Sequence, residues 1–247
     1  MQGFGNGFGR RTLFGLKGVG ATALLLAGLT VAPAQAATQS YSVSRFDSIR
    51  VLAPVKVIIA TGGGVSGRGE GDRSALDRID LSMSGSTLTV RMKPAQMDDP
   101  AGARATIILS TEQLQRVMLA GGGSLSVDRM KGLNATVQLS GSGNVSVGTM
   151  AVDRLDVSIM GSGKMTAAGS AAVLNATISG PGALLAEGLK AKQVKILGDG
   201  PGNVIVTATT DADVVARGSG DVTVLGKAAC KVNRGGTGNI QCGGKDY

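Results

Sequence analysis

The sequence predicts an all-β chain wound into a parallel β-helix, or a closely related β-solenoid, with coils of about 18–20 residues. Three observations predict it. Gly-x-Gly recurs seven times in the second half, apolar residues alternate on both sides of each occurrence, and the interval is too short for a helix plus a strand.

Residues 1–36 are set aside first, because they carry the three parts of an export signal. Arg10, Arg11 and Lys17 form the positive start, GVGATALLLAGLTVA (Gly18 to Ala32) is a weakly apolar run, and Ala34-Gln35-Ala36 fits the small-residue cleavage rule, with cleavage expected near Ala36 and Ala37. RRTLFGLK (Arg10 to Lys17) resembles a twin-arginine export signal; an ordinary general secretory signal fits the same residues. The apolar run falls short of the roughly 20 strongly apolar residues that a membrane span needs. No other such run exists, so the mature chain is expected to have no transmembrane segment, and a periplasmic, cell-surface or secreted location is expected.

Composition narrows the chemistry. Losing Arg10, Arg11 and Lys17 lowers the formal net charge from +8 to +5, a mild excess that favours solubility and points to no nucleic-acid partner. Lys190, Lys192, Lys195, Lys227 and Lys231 read as a solvated face. The chain has no His and no Trp, and past the signal its only aromatics are Tyr41, Phe46 and Tyr247. Without His, serine and cysteine triads and most zinc sites are excluded, and so few aromatics leave no stacking platform for single-stranded nucleic acid.

From residue 46 the pattern is β-rich. Phe46 to Gly64 contains alternating Ile49 and Val51, then Val55, Val57 and Ile59, and Arg78 to Met92 reads as two strands around Gly85-Ser86. KPAQMDDPAGA (93–103) is polar, has two prolines and reads as an exposed loop. Ala105 to Leu125 then enters a regular array.

Gly-x-Gly starts at Gly121, Gly141, Gly161, Gly180, Gly200, Gly218 and Gly236. Six, four and two residues before it stand Ala135, Val137 and Leu139, then Leu155, Val157 and Ile159, then Leu174, Ala176 and Ile178. Four and six after it stand Leu125 and Val127, Val145 and Val147, Met165 and Ala167, Leu184 and Ala186, Val204 and Val206, Val222 and Val224. The reading is two short half-buried strands per coil, joined by the glycine turn. Pro181-Gly182 and Pro201-Gly202 suggest a type II turn, with positive φ on the second glycine and the first kept small by turns stacked about 4.8 Å apart.

One such coil buries too little apolar surface to offset its backbone entropy, so coils must stack, and atypical end coils cap the core. A single domain over 41–242 is expected. An antiparallel β-sandwich is the alternative, since strands every 8 to 12 residues suit it too.

FDSIRVLAPVKVII, STLTVRM, ATIILSTEQLQRVMLAGGGSLSV and the repeated GSGNVSV and GSGDVTV segments together resemble the putative autotransporter adhesin head GIN domain family of exported bacterial β-solenoids. The resemblance implies the fold and an adhesin-like setting, and it transfers no catalytic residues. Against the name, no membrane-barrel pattern follows the repeats up to Tyr247, so self-transport is not expected.

GSGNVSVG (Gly141 to Gly148) lacks the third glycine and following helix of a phosphate fingerprint. A repeating calcium site is not expected either, because one register holds Asn144, Lys164, Ala183, Asn203, Asp221 and Asn239 in turn. Asp153 with Asp156, and Asp199 with Asp211 and Asp213, are the carboxylates a carbohydrate-active solenoid enzyme would draw on, and no pair recurs at one register. No catalytic, cofactor or metal residues are therefore assigned. Cys230 and Cys242, at inward register on either side of Gly236, are a disulfide candidate in an oxidising compartment; two buried thiols are the alternative.

The expected function is a non-catalytic exported solenoid that presents a surface to an envelope or extracellular ligand, protein or polysaccharide. The alternatives are the carbohydrate-active enzyme and a structural envelope protein without a specific ligand.

Overall fold

The computed structural model describes residues 37–94 and 104–247. The export signal expected over 1–36, Ala36 included, lies outside the described residues, and so does all but Lys93 and Pro94 of the loop expected at 93–103.

In chain order the described elements are β1 (Ala37–Ser40), β2 (Ser48–Val51), β3 (Lys56–Thr61), β4 (Ser66–Gly71), α1 (Arg73–Asp77), β5 (Ile79–Ser84), β6 (Thr87–Met92), β7 (Ala105–Thr111), β8 (Arg116–Ala120), β9 (Ser124–Ser140), β10 (Asn144–Met160), β11 (Lys164–Ser179), β12 (Ala183–Asp199), β13 (Val204–Ala216), β14 (Val222–Leu225), β15 (Ala229–Arg234), β16 (Ile240–Cys242) and β17 (Lys245–Asp246). They form a β-solenoid of about six turns.

The array from β9 to β16 stacks in parallel, one coil on the next. Asn144 lies between Ser124 and Lys164, Lys164 pairs with Ala183, Leu184 with Val204, and Val222 with both Val204 and Ile240. Parallel pairing at offsets of 18–20 residues sets the antiparallel sandwich aside. The inward positions read from the alternation are buried, Val137, Leu155, Leu174 and Val206 completely so. One continuous core runs from Phe46 to Cys242.

Three inward stretches line the coils of β9 to β12, where the alternation indicates two, while β13 has two, Val204 to Ala208 and Ala212 to Ala216. On β10, Val145 and Val147 face the core, then Met150 and Val152, then Leu155, Val157 and Ile159. Two adjacent exposed residues at each corner, Gly148-Thr149 and Asp153-Arg154, shift the phase by one. The ladder runs through both corners, so β9, β10 and β12 are unbroken strands of 17 residues and β11 of 16.

The turn also differs from the type II expectation. Positive φ falls on the first glycine in the turns at Gly121, Gly141, Gly161, Gly180 and Gly200, at +110° in Gly141 and +100° in Gly180, but not at Gly218 or Gly236, and the second glycine does not have it. The first glycine's N–H points to the next coil, donating from Gly141 to the Met160 carbonyl (2.8 Å), while its own carbonyl accepts from Gly163 N–H (2.9 Å). Turning both groups along the stack requires a conformation that side chains rarely adopt. Stacking holds the first glycine small, as expected, and the second as well: a Cβ would stand 2.6 Å from the Gly141 carbonyl oxygen if placed on Gly161, and 2.5 Å from the Gly143 carbonyl oxygen if placed on Gly163.

Coils near the N-terminus are not stacked in chain order. β2 pairs in parallel with β6 on one side and β8 on the other, and β3 does the same with β7 and β9. The chain thus completes a coil, winds to the end of the stack, and crosses back over that coil through residues 112–115. Buried Leu114 anchors the crossing, and Thr111 Oγ1 donates to the Phe46 carbonyl at 2.6 Å. Alternation assigns a residue to a face without naming its neighbouring strand, which is why the crossing is not legible in the pattern.

Antiparallel additions close this end. β5 pairs with β6, β4 with β7 and β1 with β4, while α1 lays Ala75 and Leu76 onto the core. Among the described residues no helix is long and apolar enough to cross a membrane.

Candidate binding site on the last coils

The last coils depart from the array because β17 leaves the parallel order. Gly243 and Gly244, both at positive φ, turn the chain so that β17 pairs antiparallel with β16, Gln241 beside Asp246. Tyr247 continues alongside, its N–H donating to the Ile240 carbonyl at 2.9 Å.

Arg234 fixes this return. Its Nη1 donates to the Tyr247 carbonyl (3.0 Å), Nε to the Gly236 carbonyl (3.3 Å) and Nη2 to the Thr237 carbonyl (3.4 Å). A planar fork holds three carbonyls where a lysine would hold one point. On the core side, Cys230 and Cys242 are joined in a disulfide that ties β15 to β16, their Cα atoms 6.2 Å apart.

The result is a concave hollow of about 500 Å³ lined by Asp221, Thr223, Asn239, Gln241, Asp246 and Tyr247, with buried Ile240 beneath. Its side chains are already tethered. Asp221 Oδ1 accepts from Asn239 N–H (2.9 Å), Asn203 Oδ1 accepts from Asp221 N–H (3.2 Å), and Gln241 Nε2 donates to Asp246 Oδ1 (3.3 Å). Asn203 and Asp221 at this register each reach across to a backbone N–H of the next coil. The succession Asn203, Asp221 and Asn239 is visible in the sequence, although the bridging by the first two is not.

A second hollow of about 460 Å³ lies by the outer edge of β15, between Lys195, Asp213 and Lys231. Among the described residues β15 is in register with β13 alone. Lys231 and Arg234 on it are the charges that discourage edge-to-edge pairing.

The other sequence candidates do not converge. Asp156 accepts from Asn175 Nδ2 at 2.7 Å, and Asp153 sits on an exposed corner. Gly198 pairs with Ala216 and Gln193 with Asp211, so Asp199 lies at the far end of the strand from Asp211 and Asp213. Among the described residues no three His, Cys, Asp or Glu side chains are placed to hold a metal ion. Lys190, Lys192, Lys195, Lys227 and Lys231 are all exposed.

The family model described as putative auto-transporter adhesin, head GIN domain, matches residues 45–228. The chain belongs to this family. Solved structures agree with the head GIN domain in fold: a putative adhesin from Bacteroides fragilis is 22% identical, with a TM-score of 0.77 over 84% of this chain and 97% of that one. A putative lipid binding protein from Parabacteroides distasonis is 18% identical, with a TM-score of 0.66 over 85% of this chain and 97% of that one. A putative adhesin from Parabacteroides merdae is 19% identical, with a TM-score of 0.64 over 85% of this chain and 96% of that one. No curated protein matches the sequence. The head GIN match stops at residue 228, so the disulfide and most of the hollow's lining lie beyond it.

Proposed function

We propose that this chain is a non-catalytic, exported β-solenoid that presents a surface for interaction or adhesion at the cell envelope, in the periplasm or outside it. The observation that carries the reading is membership, over residues 45–228, of a family described by an adhesin's name. The fold supports it: inward residues are consumed by the core, and what remains is a rigid exterior whose outward positions differ from coil to coil. In this reading residues 1–36 are removed near Ala36 and Ala37, residues 41–242 act as one domain, and the Cys230–Cys242 bond forms in the oxidising compartment. The dispersed carboxylates give no support to the carbohydrate-active enzyme, and a purely structural role would leave the exterior without a ligand.

Cell fractionation with protease shaving and N-terminal mass analysis tests this. Recovery in the envelope or outside it, as a chain starting near Ala37, is expected. Recovery of the uncleaved chain in the cytoplasm alone overturns it.

A further inference from the structure

Where on the exterior a ligand sits, and of what chemistry, is the next question. We propose that the hollow on the last coils is a saccharide site that takes one or two neutral sugar rings. The proposal rests on the interaction reading above and assigns it a place.

Size comes first: about 500 Å³ lies within the range of small-ligand sites, roughly 300–1,000 Å³. Chemistry follows. Neighbouring hydroxyls on a sugar ring each donate and accept, and they are matched by groups that do both at fixed spacing. Asn239 and Gln241 supply planar amides, Thr223 a hydroxyl, and Asp221 and Asp246 carboxylate oxygens. Tyr247 adds the one aromatic ring of these coils, an apolar plate for the C–H face of a ring.

The site is arranged before any ligand arrives. Asp221 is held by Asn239 N–H, Gln241 by Asp246, and the Tyr247 backbone by Ile240 and Arg234. Groups fixed in advance spend less of the binding energy on ordering.

Other ligand classes fit less well. The lining has two carboxylates and no cation, which repels phosphates, sulfates and uronic acids. A lipid tail needs an apolar lining, and here Ile240 is the one aliphatic residue of the lining and is buried. A single ring offers no platform for successive bases.

The test is an NMR titration of the oxidised mature chain with maltotriose, cellotriose, chitotriose and mannotriose, and with trigalacturonate as the acidic control. At least one neutral trisaccharide is expected to shift the amides of residues 221–223 and 239–247. Tyr247→Ala and Gln241→Leu are each expected to weaken that binding about tenfold with native spectra, whereas Met160→Ala leaves it unchanged. The proposal is overturned if no neutral trisaccharide shifts those amides, if trigalacturonate binds as tightly, or if both site variants fold and bind like the parent. Attachment of producing cells separates the two readings: if it depends on this protein and Tyr247→Ala supports it fully, the saccharide site fails and the interaction reading stands.

Discussion

Gly143 lies against the carbonyl oxygen of Gly123 in the preceding coil: a Cβ placed on Gly143 would stand 2.5 Å from that oxygen and 2.8 Å from Leu119 Cδ2. The same approach recurs between Gly163 and Gly143. Stacked turns are a ladder spacing apart, which leaves no room for a methyl group directed along the stack.

Gly143→Ala is therefore expected to destabilise the chain by about 1–3 kcal/mol through overpacking, lowering the melting temperature by several degrees. Ser142→Ala, at the exposed middle of the same turn, should stay within about 0.5 kcal/mol of the parent. Thermal melts followed by circular dichroism compare the two. Equal melts would show that the turns do not bear on each other.

Met150 and Met160 occupy one strand and should respond in opposite ways. Met150 is 1% exposed on the middle inward stretch, and Met160 is 52% exposed. Truncation to Ala is expected to cost about 2–5 kcal/mol at Met150 and almost nothing at Met160. Denaturant unfolding of both variants checks it, and a neutral Met150→Ala would contradict the three-stretch coil.

How much of this was legible in the sequence follows from what alternation encodes. Val145, Val147, Leu155, Val157 and Ile159 could be placed on the core from their spacing to Gly141, because period two and the glycine register reinforce each other. Met150 escaped, since the phase slips by one at each corner; its counterparts Met130 and Leu189, nine residues after Gly121 and Gly180, were the available signal. The crossing at 112–115 escaped because burial periodicity carries no information about strand order. The hollow escaped because Asp221, Gln241 and Tyr247 meet only once β17 folds back on β16, and Arg234, which holds that fold, has no sequence signature.

Reducing the Cys230–Cys242 bond should loosen the end of the stack and leave the array intact. A closed loop with a sequence separation of 12 is worth about 3 kcal/mol of restricted unfolded chain. Amide exchange at 229–247 is expected to accelerate under reductant, with β9 to β12 unchanged. Uniform acceleration along the chain would contradict a local staple.

Tyr41 makes the N-terminal cap sensitive to alkali. Its hydroxyl donates to the Leu76 carbonyl at 3.1 Å, and burial first, then the negative charge of Asp77, raise its pKa above the ordinary 10.0. The folded chain then holds this proton more tightly than the unfolded chain does, so its contribution is complete below pH 10.0 and is lost as pH rises through the folded value. Denaturation midpoints between about pH 9 and pH 11 should fall less in Tyr41→Phe than in the parent. Identical pH slopes would remove Tyr41 from the account.

The central claim is that this solenoid works by contact outside the cytoplasm. Attachment of producing cells to one another and to a polysaccharide-coated surface, measured with and without the gene and with purified mature chain as competitor, tests it most directly. Deletion is expected to lower attachment and saturating purified chain to block it; attachment unchanged under both conditions would contradict the claim.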